Sequence, residues 1–451
     1  MFPMRRGFFT PLVIAAAVML AGCGDSSASR APSEPTVRFK VSSGSPSVSS
    51  ANPASAFQGT NLDVQINGSG FDNGSKASWN LRGVPNGKIV VNRTSFVSSS
   101  QLVANVSIAS DAAIDLYDVV VTTSTLKQGI GSDAFAVTLA TAIPVVGQAI
   151  NDGGQIVGQA RSNGSLGALW DPQVGLVSIQ SGSQLYAIDQ SGSLIAGQVV
   201  TNYPLGLAAV WTSANGAAGP WILTELPSLG TGQSSARSVA TNAQGRLILG
   251  GNLTLKRHNP AIWTQTDNGW QVTLLTLPSD ILDGGWIQGI NGLGMATGMD
   301  GVTCCHAFFW DASGAPSHLQ PVAGATQAAA WSINADGTII VGNSNGLAVM
   351  WTRTLANGVY GAWSQATALE NTPQYCSGTS AANAVNAAGT VAVGVSCGQA
   401  MAWLIGNGTV VRFNLGGLGP PNTSVANAVN NLASPNAAGE ANKGGVYWKN
   451  F

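Results

Sequence analysis

Ala330-Trp331-Ser332-Ile333-Asn334-Ala335-Asp336-Gly337-Thr338-Ile339-Ile340-Val341-Gly342-Asn343-Ser344-Asn345-Gly346-Leu347-Ala348-Val349-Met350-Trp351 reads as three short strands joined by two tight turns. The first strand ends at Asn334, the second covers 338–342, and the third covers 347–351. A looser run from Trp363 to Leu369 supplies a fourth. Asn334 can bond its own downstream backbone, and Gly337 offers the left-handed conformation that closes a type I turn with a bulge. Four antiparallel strands in one unit make the blade of a β-propeller.

The unit recurs on both sides of this stretch. Its turn residue stands at Asn151, Asp189, Asn242, Asn291, Asn334, Asn386 and Asn430. A tryptophan follows in each case, at Trp170, Trp211, Trp263, Trp310, Trp351, Trp403 and Trp448. A period of about 40 to 50 residues is the mark of a repeat fold. The turn glycine recurs at Gly154, Gly192, Gly245, Gly294, Gly337 and Gly389, whereas Ala433 stands at that position in the seventh unit and predicts an irregular hairpin there. A second glycine closes the second strand at Gly158, Gly197, Gly250, Gly298, Gly342, Gly394 and Gly439. Small residues on the first strand (Ala187, Ala240, Gly289, Ser332, Ala384, Ala428) fit a crowded position near a central axis. The indoles are expected to fill the wedges between blades, where a large aromatic buries most area. Residues 140–451 are therefore expected to form a seven-bladed propeller. The seventh unit lacks a fourth strand of its own, while 141–146 precedes unit one without a partner. Pairing the two would close the ring and remove both exposed edges, with Pro144 tolerated on an outer strand.

His306-Ala307-Phe308-Phe309-Trp310, with Ala261-Ile262-Trp263 as a weaker copy, resembles the HAF family of bacterial extracellular repeats. Together with the Ile-Asn-x-x-Gly-x-Ile-Val-Gly pattern, that resemblance spans 141–451. It implies a repeat architecture and carries no shared activity.

Residues 45–139 hold alternating runs such as Leu62-Asp63-Val64-Gln65-Ile66 and Leu102-Val103-Ala104-Asn105-Val106, separated by Gly, Asn and Ser. Period-two alternation of this length means half-buried strands, and this many in so short a stretch suits a two-sheet sandwich. Gly59-Thr60, the Gly68-Ser69-Gly70-Phe71 turn, Ser98-Ser99-Ser100-Gln101-Leu102 and Asp115-Leu116-Tyr117-Asp118-Val119 resemble the IPT/TIG type of immunoglobulin-like domain. The resemblance implies a spacer or interaction module, with Phe71 and Tyr117 in its core. The fold class expected for the whole chain is all-β: an Ig-like β-sandwich followed by a seven-bladed β-propeller.

Only 9% of the 451 residues are charged, with Lys+Arg 19 against Asp+Glu 20. That balance supplies no basic field for phosphate backbones, so nucleic-acid binding is disfavoured. Arg5 and Arg6 precede an apolar run from Phe8 to Leu20, too short to span a bilayer comfortably, as in an export signal. Leu20-Ala21-Gly22-Cys23 resembles the lipobox of bacterial lipoproteins. The resemblance implies a signal peptide over 1–22, lipidation of Cys23 and a membrane anchor in the cell envelope, with the outer membrane preferred. Residues 23–44 are Ser-, Ala- and Pro-rich and read as a flexible tether.

An oxidising compartment permits disulfides among the other four cysteines. Cys376 and Cys397 flank the first hairpin of unit six and are expected to pair. Cys304 and Cys305 are adjacent and either form a vicinal disulfide or stay reduced. His306 beside them raises a metal site, but no second cluster completes four ligands, so none is assigned. His258 and His318 read as loop residues. Gly342-Asn343-Ser344-Asn345-Gly346 imitates a nucleophile elbow but lies in a β-hairpin, and Gly292 to Gly298 imitates a phosphate loop without a following helix. The acids Asp152, Asp189, Asp336 and Glu370 are few, and the first three sit in repeat turns. No catalytic residue and no cofactor is assigned. Tyr203, Trp286, Tyr360 and Trp363, in the inter-blade loops, are the candidate binding residues. The expected role is a non-catalytic, lipid-anchored module that binds a protein or glycan. A propeller-based extracellular hydrolase or lyase acting on carbohydrate or ester is the alternative, and a structural spacer the third reading.

Overall fold

The computed structural model describes residues 45–109, 111–160, 166–202, 205–255, 257–281, 284–300, 306–370, 379–406, 409–418, 423–449 and 451. Cys23, Tyr203, Cys304, Cys305 and Cys376 lie outside these residues, as do the expected signal peptide and tether. Among the described residues no helix is long and apolar enough to cross a membrane.

The N-terminal region is a sandwich. One sheet holds Ser47–Asn52, Asn61–Ser69, Gln101–Ile108 and Ile89–Ser98 in that order. The other holds Ser55–Phe57, Gln128–Thr138, Leu116–Thr122, Lys76–Leu81 and Val84–Pro85. Inward residues alternate strictly: Leu102, Ala104, Val106 and Ile108 are buried and their neighbours are not. They meet Trp79, Tyr117 and Phe135 in one core, where Trp79 and Phe135 pack edge to face with centroids 5.8 Å apart. Phe71 and Tyr117 are core residues. Gly68 is required by close approach, since a Cβ there would collide with the Ser47 carbonyl and the Phe71 ring.

Seven four-stranded antiparallel sheets follow, which we number as blades one to seven. The first strands are Val145–Ile150, Ser183–Ile188, Ser234–Thr241, Gly285–Ile290, Ala328–Ile333, Ser380–Val385 and Ser424–Val429. Each touches the first strand of the next blade, and that of blade seven touches that of blade one. The ring closes as a propeller. Its seam is the pairing of Ala140–Ile143 with Gly444–Trp448, running from Ala140 opposite Trp448 to Ile143 opposite Gly445. The closing strand is shorter than the sequence reading. Val145 and Val146 already belong to the first strand of blade one, and Pro144 forms the corner between the two strands instead of sitting in the outer one.

The repeat residues hold the ring in two ways. The side-chain oxygen of each turn residue accepts backbone N–H groups across its own turn, as Asn334 does from Thr338 and Ile339 at 2.9 Å. At three junctions the amide nitrogen also donates to the next blade: Asn151 to Asp189 O, Asn291 to Asn334 O, and Asn430 to Asn151 O across the seam. Asp189 can do only the first. In blade seven the turn is longer, with Asn430 accepting from Asn436 six residues on, in line with the missing glycine.

Six of the repeat indoles are buried at 1% exposure or less, while Trp170 is half-buried and leans on Tyr447. The N–H groups reach back to the exit of the preceding blade: Trp211 to Gln180, Trp263 to Pro227 O, Trp310 to Thr276 O, Trp351 to Gln320 O and Trp448 to Gly416 O. Trp403 has no acceptor among the described residues. A wedge that is both apolar and hydrogen-bonded at its tip fixes the angle between blades as well as filling it.

Candidate functional site

Every first strand carries a β-bulge. The register slips between Gly147 and Ala149, Leu185 and Ala187, Ala236 and Ser238, Ile287 and Gly289, Ala330 and Ser332, Ala382 and Ala384, and Ala426 and Ala428. The extra residue is therefore Gln148, Tyr186, Arg237, Gln288, Trp331, Asn383 or Asn427. A bulge re-aims its side chain and often marks a site. These seven residues together line a central cavity of about 270 Å³.

The second repeat glycine is the other half of this device. Gly158, Gly197, Gly251, Gly298, Gly342, Gly394 and Gly439 lie in the second strand, where the bulge drives a first-strand carbonyl into the space a Cβ would occupy. They lie within that strand rather than closing it. In blade three the residue is Gly251, not Gly250, and the small first-strand residue beside the bulge is Ser238, not Ala240. The small positions are crowded for a related reason: a Cβ on Gly289 would press against the Trp331 and Ser332 backbone of the next blade.

A second cavity, of about 460 Å³, opens beside the first against blades two to five. The two share Tyr186, Arg237, Gln288 and Trp331, which form a neck between mouth and channel. In the mouth, Trp286 lies against His258 with ring centroids 4.6 Å apart. His258 Nδ1 is 3.0 Å from the Thr254 hydroxyl. Burial first, and the positive charge of Arg237 second, hold the His258 pKa below its ordinary value. Arg237 lies over the Tyr186 ring at 4.8 Å. Burial raises the Tyr186 pKa against the opposing pull of Arg237. Tyr186 donates its hydroxyl to Gln184, and Gln198 donates to Ser234 O at 3.0 Å. No carboxylate stands among the described lining residues of either cavity.

The candidates named from sequence divide. Trp286 lines the mouth, from the first strand of blade four rather than from an inter-blade loop. Tyr360 and Trp363 do not: with Phe309 they box the Arg353 guanidinium, at 3.9, 4.5 and 4.6 Å from their ring centres. Arg353 also donates to Gly337 O at 2.7 Å, and Tyr360 to Asp336 O at 2.7 Å. Tyr203 lies outside the described residues.

The polar motifs resolve into local structure. His258 and His318 begin or sit in strands rather than loops. His306 Nδ1 is 2.6 Å from Asp300, and His318 Nε2 is 3.1 Å from Asp280. Among the described residues no group of three or more His, Cys, Asp or Glu is placed to hold a metal ion. Asp189 caps its own turn through Ser193 and Leu194, Asp152 accepts from Asn431, Asp336 accepts from Thr338, and Glu370 pairs with Arg412 at 3.3 Å. Cys397 occupies a positive-φ hairpin position beside Gly398 and is disulfide-bonded; its expected partner, Cys376, is outside the described residues.

No family model and no curated protein matches the chain. Among solved structures it is similar to the acylaminoacyl peptidase of Pyrococcus horikoshii (orthorhombic crystal form), at 11% identity and a TM-score of 0.32. That likeness covers 63% of this chain and 47% of that one, so this chain spans about half the length of that protein. The blade number and closure stand on the strand pairing of this chain alone.

Proposed function

We propose that this is a lipid-anchored cell-envelope protein whose propeller binds a ligand, without catalysis, in the neck and mouth of its channel. The observation that carries this reading is the wall of that cavity: three aromatic rings beside the His258 imidazole, several neutral amides and one guanidinium, without a carboxylate among the described lining residues. A concave site of a few hundred Å³ with aromatic faces and a few convergent polar groups is a binding pocket by its chemistry. Planar amides suit hydroxyl groups, and ring faces suit the apolar side of a sugar. Glycoside cleavage by paired acids requires two carboxyl groups facing one bond. The described walls of this cavity supply neither. A glycan therefore fits better than a protein loop as the ligand.

The sandwich, on the IPT/TIG resemblance, would act as a spacer between anchor and propeller, and the Cys23 lipid would hold both at the membrane. The test is a glycan array and an envelope pull-down with the detergent-solubilised chain, beside a Trp286→Ala variant. Retention of a glycan that the variant loses supports the reading. Robust turnover of a polysaccharide or ester by the purified chain would overturn it.

A further inference from the structure

Arg237 stands apart from the other polar groups of this propeller. It makes no ion pair and no hydrogen bond among the described residues, and its guanidinium lies over the Tyr186 ring. Its Nε is closed off from solvent without an acceptor. That leaves the Nη edge as the part of the guanidinium that can meet a ligand. The position is not accidental to the backbone, since the blade-three bulge sets it and Gly251 accommodates that bulge. The side chain is thus held at the neck by the fold, in a chain where only 9% of residues are charged.

Two polar groups beside it are unpartnered among the described residues as well. The Trp331 indole N–H has no acceptor among the described residues. Gln288, which lines both cavities, makes no side-chain hydrogen bond there either. A guanidinium removed from water without an anion is left short of interaction, and a planar carboxylate matches its two parallel N–H groups. The rings of Tyr186, Trp286 and Trp331 and the neutral amides around it suit the body of a sugar.

We propose that the neck binds the carboxylate of an acidic saccharide of the hexuronate class, with Arg237 as the anion contact and Tyr186, Trp286 and Trp331 as the walls. This rests on the glycan-binding reading above and goes further by fixing the ligand's charge and its point of contact. Among the described lining residues one guanidinium and no carboxylate give a site for a singly charged group. A hydrogen bond to a charged partner contributes about 1.5–3 kcal/mol, or roughly 10- to 100-fold in affinity. The interaction weakens as salt rises, because the neck opens to solvent.

The experiment titrates the full chain in detergent with trigalacturonate, its methyl ester and sodium acetate, reading quenching of the cavity tryptophans. The expected result is binding of the acid, at least about tenfold weaker binding of the ester, and none of acetate at matched concentration. Arg237→Gln abolishes the preference for acid over ester, Arg237→Lys keeps part of it, and both variants melt with the parent chain. Equal binding of acid and ester overturns the inference while a Trp286-dependent signal leaves the glycan-binding reading in place. Acetate competing as well as the trisaccharide reduces the site to one for small anions and overturns it too. So does an acid preference that survives in Arg237→Gln, or the absence of any quenching.

Discussion

Two regions of the propeller place an arginine over aromatic rings, and they differ in what the guanidinium donates to. Arg353, near the turns of blade five, lies over Phe309, Tyr360 and Trp363 and donates to the Gly337 carbonyl and the Met295 sulfur. Arg237, in the neck, lies over Tyr186 alone and donates to no acceptor among the described residues. The same contrast separates the tryptophans of blade five. Trp351 is fully buried between blades with its N–H on Gln320 O, whereas Trp331 is half-buried in the channel with its N–H unpartnered. In the wall, Arg353 and the Trp351 indole both have acceptors, although the Trp363 and Trp403 N–H groups have none among the described residues. In the neck, the Arg237 guanidinium has no acceptor among the described residues, which leaves its Nη edge for a ligand.

The largest expected effect tests the tryptophans. Trp351→Ala opens a cavity between blades four and five and is expected to cost about 3–5 kcal/mol of propeller stability. Trp331→Ala empties space that is already part of a cavity, and its cost is expected to stay within about 1 kcal/mol. Urea unfolding followed by far-ultraviolet circular dichroism measures both. Similar losses in the two variants would erase the distinction between wall and neck.

The arginines come next. Arg353→Ala removes a partly buried hydrogen bond and three cation–π contacts, for an expected loss of about 2 kcal/mol. Arg237→Gln removes no protein hydrogen bond and is expected to move stability by no more than about 0.5 kcal/mol. Ligand binding should respond in the opposite order, with Arg353→Ala neutral at temperatures where the fold persists.

Sequence made the wall legible and hid the neck, for a physical reason. A wedge between identical blades asks for the same side chain each time, so the indoles recur and their number gives the number of blades. The turn glycines recur because six of them have φ between +70° and +79°. The second glycine recurs because a bulge sits opposite it, but a glycine alone does not say which neighbour the bulge turns inward. The inward residues are Gln148, Tyr186, Arg237, Gln288, Trp331, Asn383 and Asn427, which share a position and no chemistry. A variable site on a regular frame leaves no repeat signal, and only its offset from the small first-strand residue could have found it. Blade three hides even that, because its first strand runs two residues further before the turn, which displaced Ala240 and Gly250 in the sequence reading. Tyr360 and Trp363 stand in a connecting segment, and nothing local in the sequence announces the guanidinium they enclose.

The seam of the ring gives a smaller effect. Asn430→Asp keeps the oxygen that closes its turn but loses the N–H donated to Asn151 O across the junction of blades seven and one. A buried neutral hydrogen bond contributes about 1 kcal/mol, and the new carboxylate is buried against the Asn151 carbonyl, so a loss of at least that size is expected. Asn386→Asp, whose amide nitrogen bonds Thr390 within its own turn, should cost less. Equal losses would mean that the ladder between blades does not distinguish the seam.

The smallest effect reads the electrostatic state of the neck directly. His258 faces the Thr254 hydroxyl, the Asn252 amide, the Trp286 ring and the positive charge of Arg237. Its pKa is held below the ordinary 6.5 by burial and then by that charge. Because the folded value lies below the unfolded one, the unfolded chain takes up the proton first as pH falls. Stability is therefore full above the unfolded pKa and declines as pH drops from there through the folded value. Protonation of the stacked imidazole should quench Trp286, so a fluorescence titration follows it with a midpoint below 6.5 in the parent chain. Arg237→Gln should move that midpoint upward, since one of the two depressing influences is gone. A midpoint at or above 6.5 would overturn the burial of His258, and one indifferent to the substitution would show that the Arg237 charge does not reach it, closing the contrast with Arg353.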